Sequence, residues 1–364
     1  MHHNTTELDD ETPHIDENAS TASDTQLRQL GRHQLTTLVE VAAMEVRLAN
    51  TNTALSRTYR ERLKPALTAL LRAPAGWRHQ VRVSRNFPAQ LATLRTQFPQ
   101  CAAVIEYIEA MAHLASRGDF VLRMPPMLLV GPPGVGKTYF ASQMAAALRL
   151  PYEEIHMESA TAGWILTGGD STWLDSKPGR IFELLVHGRY ANPVMLLDEI
   201  DKVPQGQKYD PMGPIYGLLE PHTASRFRDE FACVPIDASR INWILTANVL
   251  DQVPLPIRSR TQMFHIPEPS FIQRMSIARL MYEKLLRTES WGAAFAPVLN
   301  ETTAIRLAEA TGSARDLRQT IVLTCARAAA RGADTLLPCD VDATDEQVLH
   351  AGIDLRSAMP MGNA

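Results

Sequence analysis

The chain has 364 residues, 45% of them hydrophobic, and a formal net charge of −4, enough for two or three domains with ordinary buried cores. Four cysteines, Cys101, Cys233, Cys325 and Cys339, show no C-x-x-C spacing and no companion His cluster, which argues against a metal or disulfide framework and fits a reducing compartment. No window approaches the ~20 apolar residues of a membrane-spanning helix, and the polar N-terminus is unlike a signal peptide; a cytoplasmic protein with no membrane partner is expected.

Residues 1–24 hold Glu7, Asp9, Asp10, Glu11, Asp16, Glu17 and Asp24 without a Lys or Arg, the composition of a disordered acidic tail. A helical N-terminal region is predicted over 25–119. Strong helix formers fill 25–72, with Val41, Leu48 and Leu55 seven apart. Glu45 and Asn52 interrupt the companion seam, so one or two helices are expected instead of a sustained coiled coil. Ala73-Pro74-Ala75-Gly76 is a break, and further helices follow over 88–96 and 99–116. Between 26 and 105, Arg28, Arg32, Arg47, Arg57, Arg60, Arg62, Lys64, Arg72, Arg78, Arg82, Arg85 and Arg95 face only Glu40, Glu45 and Glu61. Two readings stay open for this excess: a solvated helix face, or a patch for nucleic acid or an acidic partner.

From 126 the rhythm becomes strand and helix in alternation, with apolar strands predicted at 127–130, 152–156, 194–197 and 243–246. Such alternation predicts a parallel sheet with crossover helices on both faces. After Pro267-Glu268-Pro269 the pattern is helical only, over 271–286, 302–310, 314–331 and 345–351. The expected organisation is an α/β domain over 120–267, a small all-helical domain over 268–352 and a tail over 353–364.

The first of these strands runs into Gly131-Pro132-Pro133-Gly134-Val135-Gly136-Lys137-Thr138, the full G-x-x-x-x-G-K-[ST] phosphate-binding pattern between a strand and a helix. Glycines let successive N–H groups turn toward phosphate oxygens, and the following helix N-terminus adds positive dipole. Lys137 brings a charge to the β/γ-phosphates, and the Thr138 hydroxyl is a ligand for Mg²⁺. A nucleoside triphosphate is the expected ligand. The buried strand ending in Asp198-Glu199 supplies the other half, because ligands sit at the carboxyl ends of strands in open α/β sheets. Asp198 is expected to hold Mg²⁺ and Glu199 to orient or deprotonate the attacking water.

These motifs, with Trp243-Ile244-Leu245-Thr246-Ala247-Asn248, resemble an AAA+ ATPase, a P-loop NTPase sheet followed by a helical lid. Within that group the chain resembles the ATPase part of Lon proteases over roughly 120–352. Asp198-Glu199-Ile200-Asp201-Lys202, Phe227-Arg228-Asp229, Pro256-Ile257-Arg258-Ser259-Arg260 and Gly312-Ser313-Ala314-Arg315-Asp316-Leu317 carry the likeness in order. The resemblance implies that Asn248 senses the attacking water or γ-phosphate, that Arg260 reaches a neighbouring subunit's ATP as an arginine finger, with Arg258 as competitor, and that Arg315 touches the γ-phosphate within its own chain. It also implies a homo-oligomer, expected to be a hexameric ring. In Gly168–Arg180, Trp173 and Leu174 occupy the aromatic and aliphatic places that face the pore in the family; an aromatic–aliphatic pair grips an extended polypeptide through sequence-tolerant apolar contact. The alternative for Trp173 is the domain's own core. Too few residues follow Arg315 for the family's Ser/Lys protease domain, so peptidase activity is not expected.

The leading expectation is thus an ATP- and Mg²⁺-dependent remodeller of a protein client. A DNA-associated motor using the basic segment is the alternative, and a nucleotide switch with little turnover is disfavoured by Glu199, Asn248 and Arg260.

Overall fold

The computed structural model describes residues 32–35, 40, 42–43, 61, 63–65, 68–70, 76–159, 163–170, 176–203 and 210–342. The acidic tail, most of the helices expected over 25–72, the helix at 345–351, the C-terminal tail and the pair Trp173/Leu174 lie outside these residues. The chain divides into two units, Met1–Gln80 with Ala162–Ala191 and Gly213–Arg240, and Val81–Thr161 with Asn192–Met212 and Ile241–Ala364.

In the second unit two helices, Phe87–Gln97 (α1) and Ala102–Ser116 (α2), precede the first strand, Met127–Val130 (β1). Helix α3, Lys137–Ala147, follows, then strands Tyr152–His156 (β2), Val194–Asp198 (β3), Asn242–Ala247 (β4) and Gln262–His265 (β5). The five strands form one parallel sheet in the order β2-β3-β4-β1-β5. β1, β3 and β4 are buried at every position, as expected of parallel strands covered on both faces. Met127, Leu129, Val194, Leu196 and Ile244 share one core with Leu91 and Leu94 of α1, Ile105 and Ile108 of α2, and Phe140 and Met144 of α3. Alternate residues Leu128, Met195, Leu197 and Leu245, on the opposite face, are equally buried.

β5 has no counterpart among the predicted strands. Only Phe264 of its four residues is buried, so an edge strand with one inward side chain leaves almost no apolar signal.

The helical segment begins at α4, Phe271–Thr288, where Ser270 and Gln273 form a capping box. Helices α5, Glu301–Ala310, α6, Ala314–Ala330, and α7, Pro338–Asp342, follow. Asn300 caps α5 through Thr302 N–H, and Ser313 caps α6 through Asp316 N–H. Tyr282, Leu285, Leu307, Leu317, Ile321 and Cys325 close a separate small core. The predicted α/β class with a helical lid and a helical region before it is the fold observed.

Among the described residues, the first unit departs from expectation in its N-terminal stretch. Arg32–Gln34, within the stretch read as helix, is a strand paired antiparallel with Trp77–His79. Pairing and the burial of Leu35 at its end override a local preference that is only a few tenths of a kcal/mol per residue. Elsewhere in this unit Asp229 is fully buried and ties down a turn. Its Oδ1 accepts the N–H groups of Phe231 and Ala232 at 3.0 and 2.8 Å, and its Oδ2 that of Gly179 at 2.8 Å. Burial nevertheless pushes its carboxyl up to about 6.

Candidate functional site

Strand order dictates the site. β4 lies between β1 and β3, so whatever ends β4 stands between the phosphate loop after β1 and the acids ending β3. That residue is Asn248.

Two of the loop's glycines adopt left-handed backbone, Gly134 at φ +79° and Gly136 at φ +92°, where a side chain is strained. The loop so curled delivers Lys137 as the first residue of α3. Its Nζ donates to Gly131 O at 2.7 Å, Pro132 O at 3.0 Å and Asn248 Oδ1 at 2.8 Å. All three acceptors are neutral, so among the described residues the ammonium has no counter-charge in direct contact. Burial lowers its pKa, opposed by the fields of Asp198, Asp201 and Glu199.

Thr138 Oγ1 donates to Asp198 Oδ1 at 2.9 Å, and Thr246 Oγ1 makes a short bond to the same oxygen. A hydroxyl and a carboxylate meeting at the foot of a phosphate loop are the hard oxygen donors that suit Mg²⁺. Thr246 also accepts Glu199 N–H at 2.9 Å. Glu199 sits at φ +57°, a sparsely populated region for a residue with a side chain. This twist turns its carboxylate away from the strand axis to Lys202, whose Nζ donates to Oε2 at 2.8 Å, and to Asn248, whose Nδ2 donates to Oε1 at 3.4 Å. The Lys202 bond, chiefly, holds the Glu199 carboxyl below the usual range. Asp201 fixes the end of β4 by accepting both Asn248 N–H and Val249 N–H at 2.9 Å.

Lys137, Thr138, Asp198, Glu199 and Asn248 thus form one continuous cluster. They line a cleft of about 1370 Å³ together with Pro133, Gly134, Gly136, Ile277 and Met281 of α4 with its neighbours, and Arg315 and Arg318 of α6. That exceeds the roughly 300–1,000 Å³ usual for a small-molecule pocket. Arg260 is not among the residues lining the cleft; its Nη1 donates to Pro256 O at 2.8 Å. Arg258 donates to Val253 O at 2.8 Å.

Five contributors were not given a role in the sequence. Thr246, Asp201 and Lys202 lie within recognised motifs but are unremarkable types there. Gln100, buried, donates to Val135 O of the phosphate loop at 2.9 Å, and Ala314 N–H donates to Gly134 O at 3.1 Å; both reach the loop from distant segments, and only the tertiary fold reveals them. Among the described residues no helix is long and apolar enough to cross a membrane.

A family model described as "ATPase family associated with various cellular activities (AAA)" matches residues 127–267. The chain is 35% identical over 149 residues to the mitochondrial Lon protease homolog of Drosophila melanogaster, a match covering 41% of this chain and 15% of that protein. It is 37% identical over 149 residues to Lon protease of Helicobacter pylori, covering 41% and 18%. The match therefore spans less than a fifth of the length of these curated relatives. Among solved structures, the RuvB Holliday junction branch migration motor of Thermotoga maritima covers 68% of each chain at 15% identity and a TM-score of 0.46. Residues 127–267 form a nucleotide-binding domain of the AAA ATPase family, similar in sequence to a part of Lon proteases.

Proposed function

We propose that the chain hydrolyses ATP with Mg²⁺ and couples turnover to the remodelling or unfolding of a protein client, working as a ring of identical subunits, six by expectation. The observation that carries the hydrolytic reading is the placement of Asn248, whose amide oxygen takes Lys137 at 2.8 Å while its amide nitrogen faces Glu199 at 3.4 Å. A single side chain is thus shared by the group that holds the γ-phosphate and the group that activates water. Lys137 and the loop N–H groups neutralise the phosphates, and Glu199 accepts the proton of a water aligned by Asn248. Thr138 and Asp198 would hold Mg²⁺, which would offset the negative charge that develops on the phosphate in the transition state. Arg315, exposed at the start of α6 in the same cleft, contacts the γ-phosphate from the lid. Arg260, outside the cleft lining, serves the neighbour's site and completes each site only in the assembly.

The protein client is inferred from likeness to Lon proteases, which by name act on polypeptide, and from Trp173 and Leu174 in the segment 168–180. Two measurements test the proposal. An unfolded polypeptide should raise ATP turnover of the wild-type chain, and Glu199→Gln should bind ATP, lose turnover and retain the polypeptide in an ATP-dependent complex. Turnover that responds to double-stranded DNA and not to polypeptide would overturn the client assignment. Glu199→Gln that turns over at near wild-type rate would move the base elsewhere.

A further inference from the structure

Asp198 has a second neighbourhood, on the side away from the phosphate loop. Strand periodicity puts Glu154 and His156 on the same face of β2, and the parallel register pairs His156 directly with Asp198 of β3. His156 Nε2 lies 3.4 Å from Glu154 Oε1, and its Nδ1 lies 3.6 Å from Asp198 Oδ2. One donor atom from each of the three residues falls within 4.8 Å of the other two. We propose that Glu154, His156 and Asp198 form a second divalent-cation site, suited to Zn²⁺, that competes with ATP-bound Mg²⁺ for Asp198. The competition rests on the reading of Asp198 as a Mg²⁺ ligand; the site itself does not.

Both carboxylates are oriented for this by groups outside the triad. Tyr152 Oη donates to Glu154 Oε2 at 2.7 Å, leaving Oε1 toward the ring. Thr138 and Thr246 engage Asp198 Oδ1, leaving Oδ2 toward the ring. Each acid has one oxygen anchored and the other presented, the outer-shell arrangement that fixes metal ligands. An ion takes only one of the two ring nitrogens, and with one ligand atom from each residue the three lie within 4.8 Å of one another, wider than the ~3.4 Å edge of a tetrahedron with Zn²⁺ bonds of about 2.0–2.1 Å, so the side chains close in around a bound ion. Two carboxylates supply the charge a divalent ion neutralises. The imidazole moves the preference from Mg²⁺ and Ca²⁺ to Zn²⁺ and its neighbours. β2 is the edge strand of its sheet and the His156 side chain is 66% exposed, so an ion has a path in and water a place to complete its coordination. An ion held there draws Asp198 toward β2 and spends its charge, so ATP turnover supported by Mg²⁺ falls.

The test uses the full chain without nucleotide. Co²⁺ is followed by visible absorption and Zn²⁺ by calorimetry, on wild type, His156→Ala and Glu154→Gln, with thermal melts confirming that each variant is folded. The expected result is one binding equivalent in the wild type that weakens at least about tenfold in each variant. Micromolar Zn²⁺ should inhibit wild-type turnover at fixed Mg²⁺ and ATP, and His156→Ala should resist while its turnover without Zn²⁺ matches wild type. Superimposable isotherms for all three proteins would overturn the site and leave His156 as an ion-pair clip between two acids. Equal Zn²⁺ inhibition of wild type and His156→Ala would overturn the competition. If Asp198→Asn loses the Co²⁺ equivalent yet keeps Mg²⁺-dependent turnover, the cation site stands and the Mg²⁺ role of Asp198 falls.

Discussion

A methyl group placed on Gly134 would lie 2.6 Å from Cβ of Ser313. The phosphate loop and the N-cap of the lid helix α6 are therefore in close contact, with Ala314 N–H donating to Gly134 O beside it. Gly134→Ala meets two penalties, a left-handed φ of +79°, worth roughly 1–2 kcal/mol, and the steric overlap itself. A fluorescent ATP analogue should bind it about tenfold more weakly or worse, as 1.4 kcal/mol corresponds to one decade. Ser313→Gly alone should be near neutral, because Gly replaces Ser at an N-cap at a cost of only a few tenths of a kcal/mol. Combined with Gly134→Ala it should recover part of the lost affinity. Strict additivity in this double-mutant cycle would show that the loop and lid are uncoupled.

Lys202 sets the state of Glu199. Its hydrogen bond, with Asn248 assisting, keeps the carboxyl below the ordinary range. A base whose pKa is depressed stays ionised as the pH falls, and removing the stabilising cation lets the pKa climb. Lys202→Ala should therefore move the acid limb of the kcat–pH profile to higher pH, with little change on the alkaline side. An unmoved acid limb would separate the turnover base from Glu199.

How much of this was legible in the sequence follows from how each feature is encoded. The phosphate loop and Asp198-Glu199 are contiguous and apolar-flanked, so local chemistry alone marks them. The three buried strands β1, β3 and β4 announce themselves as apolar runs, whereas β5 contributes one buried residue, Phe264, and escapes. Asn248 was placed by resemblance, but its position between Lys137 and Glu199 is a consequence of strand order, which no local pattern carries. Gln100 on Val135 O and Ser313 against Gly134 join segments far apart in the chain. The strand at Arg32–Gln34 sits among strong helix formers, and the partner that makes it a strand, Trp77–His79, lies more than forty residues on.

Asp229 offers a stability test of opposite sign to the usual carboxylate. Its folded pKa is raised to about 6 from 3.8, so between these values the folded state binds more protons than the unfolded one, and stability falls as pH rises. At 1.36 kcal/mol per pKa unit the loss by pH 7 is about 3 kcal/mol. Asp229→Asn cannot titrate. From pH 4 to 7 the unfolding free energy of the wild type should drop relative to the variant by up to this amount, measured by denaturant melts at each pH. A difference that is flat, or grows in favour of the wild type, would mean that the three backbone donors outweigh burial.

The role assigned to Arg260 is tested across an interface. In its own chain Nη1 rests on Pro256 O and the residue does not line the cleft that Lys137 occupies. Arg260→Ala should then bind ATP with nearly wild-type affinity and fail to hydrolyse it, because the lost charge acts only on the transition state. Lys137→Ala should fail for the complementary reason, losing its grip on the phosphates. Neither variant alone has a complete site. A randomly mixed, equal-ratio ring contains intact pairs wherever an Arg260→Ala subunit holds the ATP and a Lys137→Ala subunit supplies the arginine, about a quarter of all head-to-tail interfaces. Turnover in the mixture should rise from background toward that fraction of wild type, measured after subunit exchange is verified by energy transfer between labelled subunits. A mixture that exchanges fully and stays inactive would place Arg260 in the service of its own chain and remove the reason to build this site across two subunits.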